Sequence, residues 1–234
     1  MTLNDFYEKD EVIHEVVEAS RSVLSYKLIK KLVSESASYQ KSRMLDVGCG
    51  DGSFIRQFQD KCQIFGLDRS KKAIEKVNEL GLNGIKLNIS SEKFPFENEY
   101  FEIVYMGDVI EHLLNPDFAI MEIKRVLKPE GFLILSTPNL ACWYNRLLLL
   151  FGIQPMFTEV SSIGVFGRSG TLPVGHLRLF TLRALRAFLS FHGFKILREI
   201  GSPFDELPVF MRRLDRIFCK IPSISSIIIV LAQK

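Results

Sequence analysis

The run Leu45 to Phe54, LDVGCGDGSF, limits what this chain can fold into more than any other stretch. A short apolar segment ends in a carboxylate, and three glycines then alternate with Cys49 and Asp51. An apolar run that breaks into Gly-x-Gly reads as a buried parallel strand entering a tight turn. Gly48, Gly50 and Gly52 allow a sharp bend and let a ligand press against backbone. Dinucleotide-binding turns share this plan, but they carry a further glycine at the position held here by Ser53. Asp46 before the bend and Asp51 inside it would repel a pyrophosphate at the next helix N-terminus. They suit a ligand with a positive end, such as an ammonium or sulfonium.

Cys62 to Leu67 is a second apolar run, and it ends at Asp68. An acid roughly twenty residues beyond the glycine turn reaches the ribose diol in nucleoside-binding βαβ units. Ser70 is placed to cap a helix from Lys71 to Leu80. A third strand is expected at about Gly84 to Leu87. Asn88 stands at its end, where its side-chain oxygen could accept from an adenine amino group.

On these residues the chain resembles the class I S-adenosylmethionine-dependent methyltransferases, in the style of the small-molecule, quinone-biosynthesis-like group. LDVGCGDG is similar to the family's first motif, and Asp68 to its ribose-binding acid. The family usually has Asp where this chain has Asn88. FPFENEYFEIVYMGDVIEHLLNP (94–116) is similar to its fourth strand and following turn, VLKPEGFLILSTPN (126–139) to its fifth strand, and 175–197 to its late helix and strand. The resemblance implies S-adenosylmethionine as cofactor, held by Asp46, Gly48, Gly50, Asp51, Asp68, Asn88, Gly107 and Asp108, and a small-molecule methyl acceptor.

The chain has 234 residues, 47% of them hydrophobic and 24% charged, enough for one α/β domain with a substantial core. A net charge of +3 is too small to mark a nucleic-acid footprint, and no nucleic-acid partner is expected. The 4 cysteines form no C-x-x-C pair, so four free thiols in a reducing cytosol are expected. The opening MTLNDFYEKDEV is polar and acidic, unlike a secretory signal, and the expected location is cytoplasmic. No apolar run approaches the length of about 18 residues that suggests a membrane span.

Short strands alternate with helical patterns, which implies a mainly parallel sheet covered on both faces. The expected fold is a Rossmann-like, seven-stranded α/β sheet with an antiparallel last strand, and a lid inserted after strand five. One domain spans 1–234, with a helical lead-in over 1–40 and the lid over 139–175. In detail, a helix is expected from Asp10 to about Ala37, with Val12, Ile13, Val16, Val17, Leu24, Leu28, Leu32 and Val33 at helical spacing. Strand one is Met44 to Val47, followed by a helix from Ser53 to Gln59. Strand four is Glu102 to Met106, a helix runs from Asp117 to Leu127, and strand five is Phe132 to Ser136. A helix from Leu182 to Phe191 is capped by Thr181 and ended by Gly193. The last strands are Phe194 to Ile200 and Ser225 to Leu231.

Between Pro138 and Gly175 the alternation stops. Asn139 to Phe151 reads as helix, and Glu159 to Val174 as a mobile loop. As a lid, this excursion would offer Trp143, Tyr144, Met156, Phe157 and Phe166 to an apolar pocket. An extra core layer is equally open for Leu147 to Leu150.

Methyl transfer from a sulfonium needs positioning and shielding above all, and a base only when the acceptor keeps its proton. Two histidines are candidates for that base. His112 follows Glu111 in the turn after strand four, where it would act as base or pin the turn to backbone. His176 lies where the lid returns, facing the acceptor or anchoring the loop through Arg178. Asp108 would line the cofactor wall or cap a short helix, and Gly107 would allow close approach or simply turn. His14 and His192 read as helix-surface residues. No His/Asp cluster has ligand-like spacing, so no metal is expected.

Leu207 to Ile221 mixes apolar residues with Arg212, Arg213, Arg216 and Lys220. The favoured reading is a surface helix with its apolar stripe on the sheet, and a transient membrane-surface contact is the other. Two rival functions stay open, a nicotinamide-dependent oxidoreductase and a non-catalytic cofactor-binding subunit. The acceptor and the oligomeric state are not legible in the sequence.

Overall fold

The computed structural model describes residues 20–35, 42–168 and 173–234. Seven strands form one sheet: β1 (Ser42–Val47), β2 (Cys62–Asp68), β3 (Asn83–Lys86), β4 (Phe101–Gly107), β5 (Leu127–Pro138), β6 (Lys195–Ser202) and β7 (Ile227–Gln233). Their spatial order is β3-β2-β1-β4-β5-β7-β6. The strands from β3 to β5 pair in parallel, and β7 runs antiparallel to both β5 and β6. This is the expected doubly wound sheet with a reversed last strand. The helices are α1 (Ser20–Glu35), α2 (Lys71–Glu79), α3 (Pro116–Val126), α4 (Trp143–Leu150), α5 (Leu182–Phe191) and α6 (Val209–Phe218).

The central strands bury both faces, so they read as nearly continuous apolar runs rather than alternating ones. Neighbouring residues divide between two cores. Leu45, Val104, Leu133 and Ile228 join Ala119, Ile123, Leu185 and Leu189 on one face. Met44, Ile103, Ile134 and Ile229 join Ile29, Ile74 and Val77 on the other. The chain winds outward from β1 to β3, then returns to the far side of β1 with β4. That reversal opens a crevice between the carboxyl ends of β1 and β4, where open α/β sheets bind ligands.

Local chemistry explains the helix starts. Ser70 accepts from the Ala73 N–H and Thr181 from the Ala184 N–H, as expected. Asn115 caps α3 through Phe118 N–H, with Pro116 at the first helical position, where its missing N–H is harmless.

Several expectations are corrected. Instead of a helix from Ser53 to Gln59 there is a 3-10 turn at Ile55–Phe58. The bonds Gln59 N to Arg56 O and Lys61 N to Phe58 O keep the tight pattern, and β2 starts at Cys62 before an α-helix can develop. β5 begins at Leu127 because that residue already pairs with Phe101, before a register shift. In the lead-in, the helix Ser20–Glu35 buries Leu28 and Val33. Val12, Ile13, Val16, Val17 and His14 lie outside the described residues. His192 is not a surface residue, since its side chain is 8% exposed, bonded to Asp117 and packed on Phe188.

The excursion after β5 closes on itself, because Leu140 N–H donates to Phe180 O. Leu147, Leu149 and Leu150 are exposed rather than forming a core layer, and so is Phe166. Cys142, Tyr144 and Leu207 form a small separate core with Trp143, Met156, Phe157, Phe204 and Met211 around it.

Candidate functional site

The glycine bend is built by backbone geometry. Gly48, Gly50 and Gly52 all have positive φ, a region that costs other residues about 1–2 kcal/mol. Gly48 and Cys49 both donate to Leu67 O, which ties the bend to the end of β2. A Cβ on Gly48 would lie 2.3 Å from Val109 Cγ2, so this glycine lets the β1 and β4 ends close together. A Cβ on Gly50 would meet nothing within 4 Å, so the middle of the bend faces open space.

Three acids gather around this space. Asp68 accepts from Gly50 N–H at 3.0 Å and from Ser70 N–H at 2.8 Å. Burial still raises its pKa despite those donors. Asp46 is 3% exposed, and its Oδ1 is buried with no hydrogen-bond partner. Burial, then the charge of Asp68, pushes the Asp46 carboxyl well above the usual carboxylate range. Asp51 accepts from Ser53 N–H, as a local turn residue. Between them, the Cys49 thiol is pushed far up, first by burial and then by Asp46 and Asp68. A positively charged ligand would relieve this arrangement. Asn88 is exposed beyond β3, and its side-chain oxygen accepts from Ser90 N–H, so it also braces its own turn.

At the end of β4, a Cβ on Gly107 would fall 2.2 Å from the Tyr105 hydroxyl, so packing alone accounts for that glycine. Asp108 follows with φ 52°. It does not cap the short 3-10 turn Ile110–His112, whose N-cap is Val109. Asp108 instead accepts from the Ser136 hydroxyl at 2.7 Å and forms an ion pair with Arg21 of α1. Arg21 is held in its charged form chiefly by Asp108. Sequence reasoning missed Arg21, and no local signal marks it.

Glu111, His112 and His176 converge beside Asp108. Glu111 is wholly buried, with Oε2 accepting from Thr137 Oγ1 at 3.0 Å and Oε1 without a hydrogen-bond partner. Burial, then Asp108, raises its pKa well above the usual range. Its backbone carbonyl accepts from Leu177 and Arg178 N–H. His112 Nδ1 lies 3.1 Å from Gly175 O, and His176 Nδ1 lies 2.9 Å from Phe157 O. A carbonyl only accepts, so Nδ1 carries the proton in both rings and Nε2 the lone pair. Burial, then His176, pushes His112 down to about 4. Burial lowers His176 too. The ring centroids are 4.8 Å apart.

Of the two alternatives weighed for His112, the structure shows the pinning one, a ring held to the backbone of the returning excursion at Gly175. His176 anchors to Phe157 O, whereas Arg178 reaches Leu113 O. Glu159 clamps the same return by accepting from Val174, Gly175 and His176 N–H. Glu111, His112 and His176 each offer one ligand atom within 4.8 Å of the others, close enough to hold a metal ion. That convergence is invisible in sequence spacing, because His176 lies far along the chain.

Residues 45–135 match a family model described as a methyltransferase domain. An uncharacterized methyltransferase of Schizosaccharomyces pombe is 30% identical over 120 residues, covering 44% of this chain and 43% of that protein. A ubiquinone biosynthesis O-methyltransferase of Pelagibacter ubique is 27% identical over 116 residues, covering 47% of each. The chain thus spans less than half the length of these relatives. A Thermotoga maritima structure described as a SAM-dependent methyltransferase, possible histamine N-methyltransferase, superimposes with a TM-score of 0.60 at 19% identity. It covers 92% of this chain and 97% of its own, and it shares the fold. Among the described residues, no helix is long and apolar enough to cross a membrane.

Proposed function

We propose that this chain, whose residues 45–135 match a methyltransferase domain, is a class I S-adenosylmethionine-dependent methyltransferase that transfers a methyl group from S-adenosylmethionine to a small organic acceptor, at oxygen or carbon. The observation that carries this reading is the buried, unpartnered Asp46 Oδ1 beside the open face of Gly50. An orphaned acid next to a cradle with room for a ligand fits a cationic nucleoside. It does not fit a pyrophosphate, which argues against the nicotinamide alternative. S-adenosylmethionine, when bound, supplies a methyl group already activated by its positive sulfur.

The chain's own residues divide the remaining work. Asp46 and the bend from Gly48 to Asp51 hold the cationic end, and Asp68 receives the ribose hydroxyls while bracing Gly50. Asn88 meets the base, and Gly107 and Asp108 wall the crevice opposite. On the acceptor side, His112 Nε2 and His176 Nε2 are the proton-accepting atoms for a hydroxyl acceptor, and the half-buried setting limits competing water. On this reading the chain acts as one methyltransferase domain in the cytoplasm, with α1 and the described part of the excursion after β5 beside the cleft. The quinone-biosynthesis relatives favour an O-methylated acceptor, and the apolar side chains of Met156 and Phe157 near His176 favour a lipid-like or isoprenoid one.

The test is transfer of labelled methyl from S-adenosylmethionine into extract metabolites, read by an added methyl mass. Appearance of a methylated product supports the enzyme. A cofactor-loaded protein that labels nothing would support the non-catalytic subunit instead.

A further inference from the structure

Helix α6 leaves part of its apolar surface outside. Its buried residue is Asp215, while Phe210 is 78% exposed and Ile217 60% exposed. The favoured expectation, an apolar stripe packed on the sheet, is met only in part: Met211 packs inward on the small core with Leu207, and Phe218 on Trp143, while a second apolar stripe stays outside. The cause is a polar anchor. Asp215 Oδ1 accepts from Trp143 Nε1 at 2.8 Å and from Ser226 Oγ at 2.5 Å, and Oδ2 accepts from Phe204 N–H at 2.7 Å. Trp143 also stacks on Phe218, with centroids 5.2 Å apart. These contacts fix the helix with Phe210, Leu214 and Ile217 outward, at the i, i+4, i+7 spacing of one stripe.

Arg213 and Arg216 lie along one flank of that stripe, and Lys220 and the exposed Ile221 follow just past the helix end. The helix's single acid is turned inward, so its outer surface is apolar and cationic only. Glu206, the exposed acid nearby, precedes the helix.

We propose that α6 docks this protein on an anionic phospholipid surface. An outward stripe with basic residues beside it matches the boundary between acyl chains and negative headgroups. A second copy matches it less well, because a two-fold contact would bring the same cations face to face. Docking by α6 also holds the acceptor end near lipid. Phe204 contacts Phe157 at 5.0 Å between centroids, and Phe157 contacts His176 at 5.9 Å. The proposal stands apart from methyl transfer, since it concerns binding alone.

The test is flotation of the purified full chain with phosphatidylcholine vesicles and with vesicles containing phosphatidylglycerol. Binding is expected only to the anionic vesicles, weakening as salt rises. Arg213→Gln with Arg216→Gln should weaken it by roughly fivefold for each charge removed. Phe210→Ser with Ile217→Ser should abolish it without lowering the Tm, because both side chains are already in solvent. A wild-type chain that ignores anionic vesicles, or a serine double variant that binds them as well as wild type, would overturn the proposal. So would a lipid-free dimer that the serine double variant dissociates, since a second copy would then own the face.

Discussion

The Asp68 carboxylate accepts a hydrogen bond from the Gly50 backbone N–H at 3.0 Å, so the acid ending β2 braces the glycine bend that ends β1. One residue thereby shapes the glycine bend, and under the proposed function it also receives the ribose hydroxyls. Neither role needs the other to be absent, because a carboxylate has about four acceptor positions.

Replacing Asp68→Ala removes both roles. Each charge-assisted hydrogen bond is worth about 1.5–3 kcal/mol. Calorimetry should therefore show S-adenosylhomocysteine binding at least roughly a hundredfold weaker. Unchanged affinity would mean that the ribose is held elsewhere.

The paired histidines predict a pH dependence of stability. His112 sits at about 4 in the fold, against an ordinary value of 6.5. The neutral ring is favoured in the folded state, so its contribution is complete above the unfolded value. It is lost as pH falls from about 6.5 toward 4, on the order of 3 kcal/mol in all. His176 shifts in the same direction and adds to the effect. Denaturant melts across that window should show falling stability, and His112→Gln should flatten the slope. A variant with the wild-type slope would assign the effect to other groups.

The Asp215 anchor makes a sharper stability prediction. Asp215→Ala would orphan the Trp143, Ser226 and Phe204 donors, each costing about 1–3 kcal/mol when buried. The Tm should drop by roughly 10 °C. Proteolysis should then open the chain first at α6. A Tm within a degree or so of wild type would show that the helix is held by packing alone.

These residues also show what a sequence can and cannot reveal. The order of strands and helices was legible because buried parallel strands leave apolar runs, and because Ser70 and Thr181 leave capping signals. The glycine bend and its brace were legible because Gly48, Gly50 and Asp68 lie close together in sequence, at the ends of two successive strands. Arg21 was not, since its partner Asp108 lies far along the chain and no local pattern couples them. Glu159 and the His112–His176 pairing were hidden for the same reason. The outward stripe of α6 is not legible in the sequence, because an apolar pattern on a helix does not say which of its residues face the core. One buried aspartate with three donors outweighed that pattern.

The account depends most on the charge and shape of the space around Asp46 and Gly50. The most direct measurement is calorimetric titration of the purified chain with S-adenosylmethionine and, separately, with NADH. Saturable binding of S-adenosylmethionine, with no heat from NADH, is the predicted result. Tight binding of NADH with no response to S-adenosylmethionine would contradict the account.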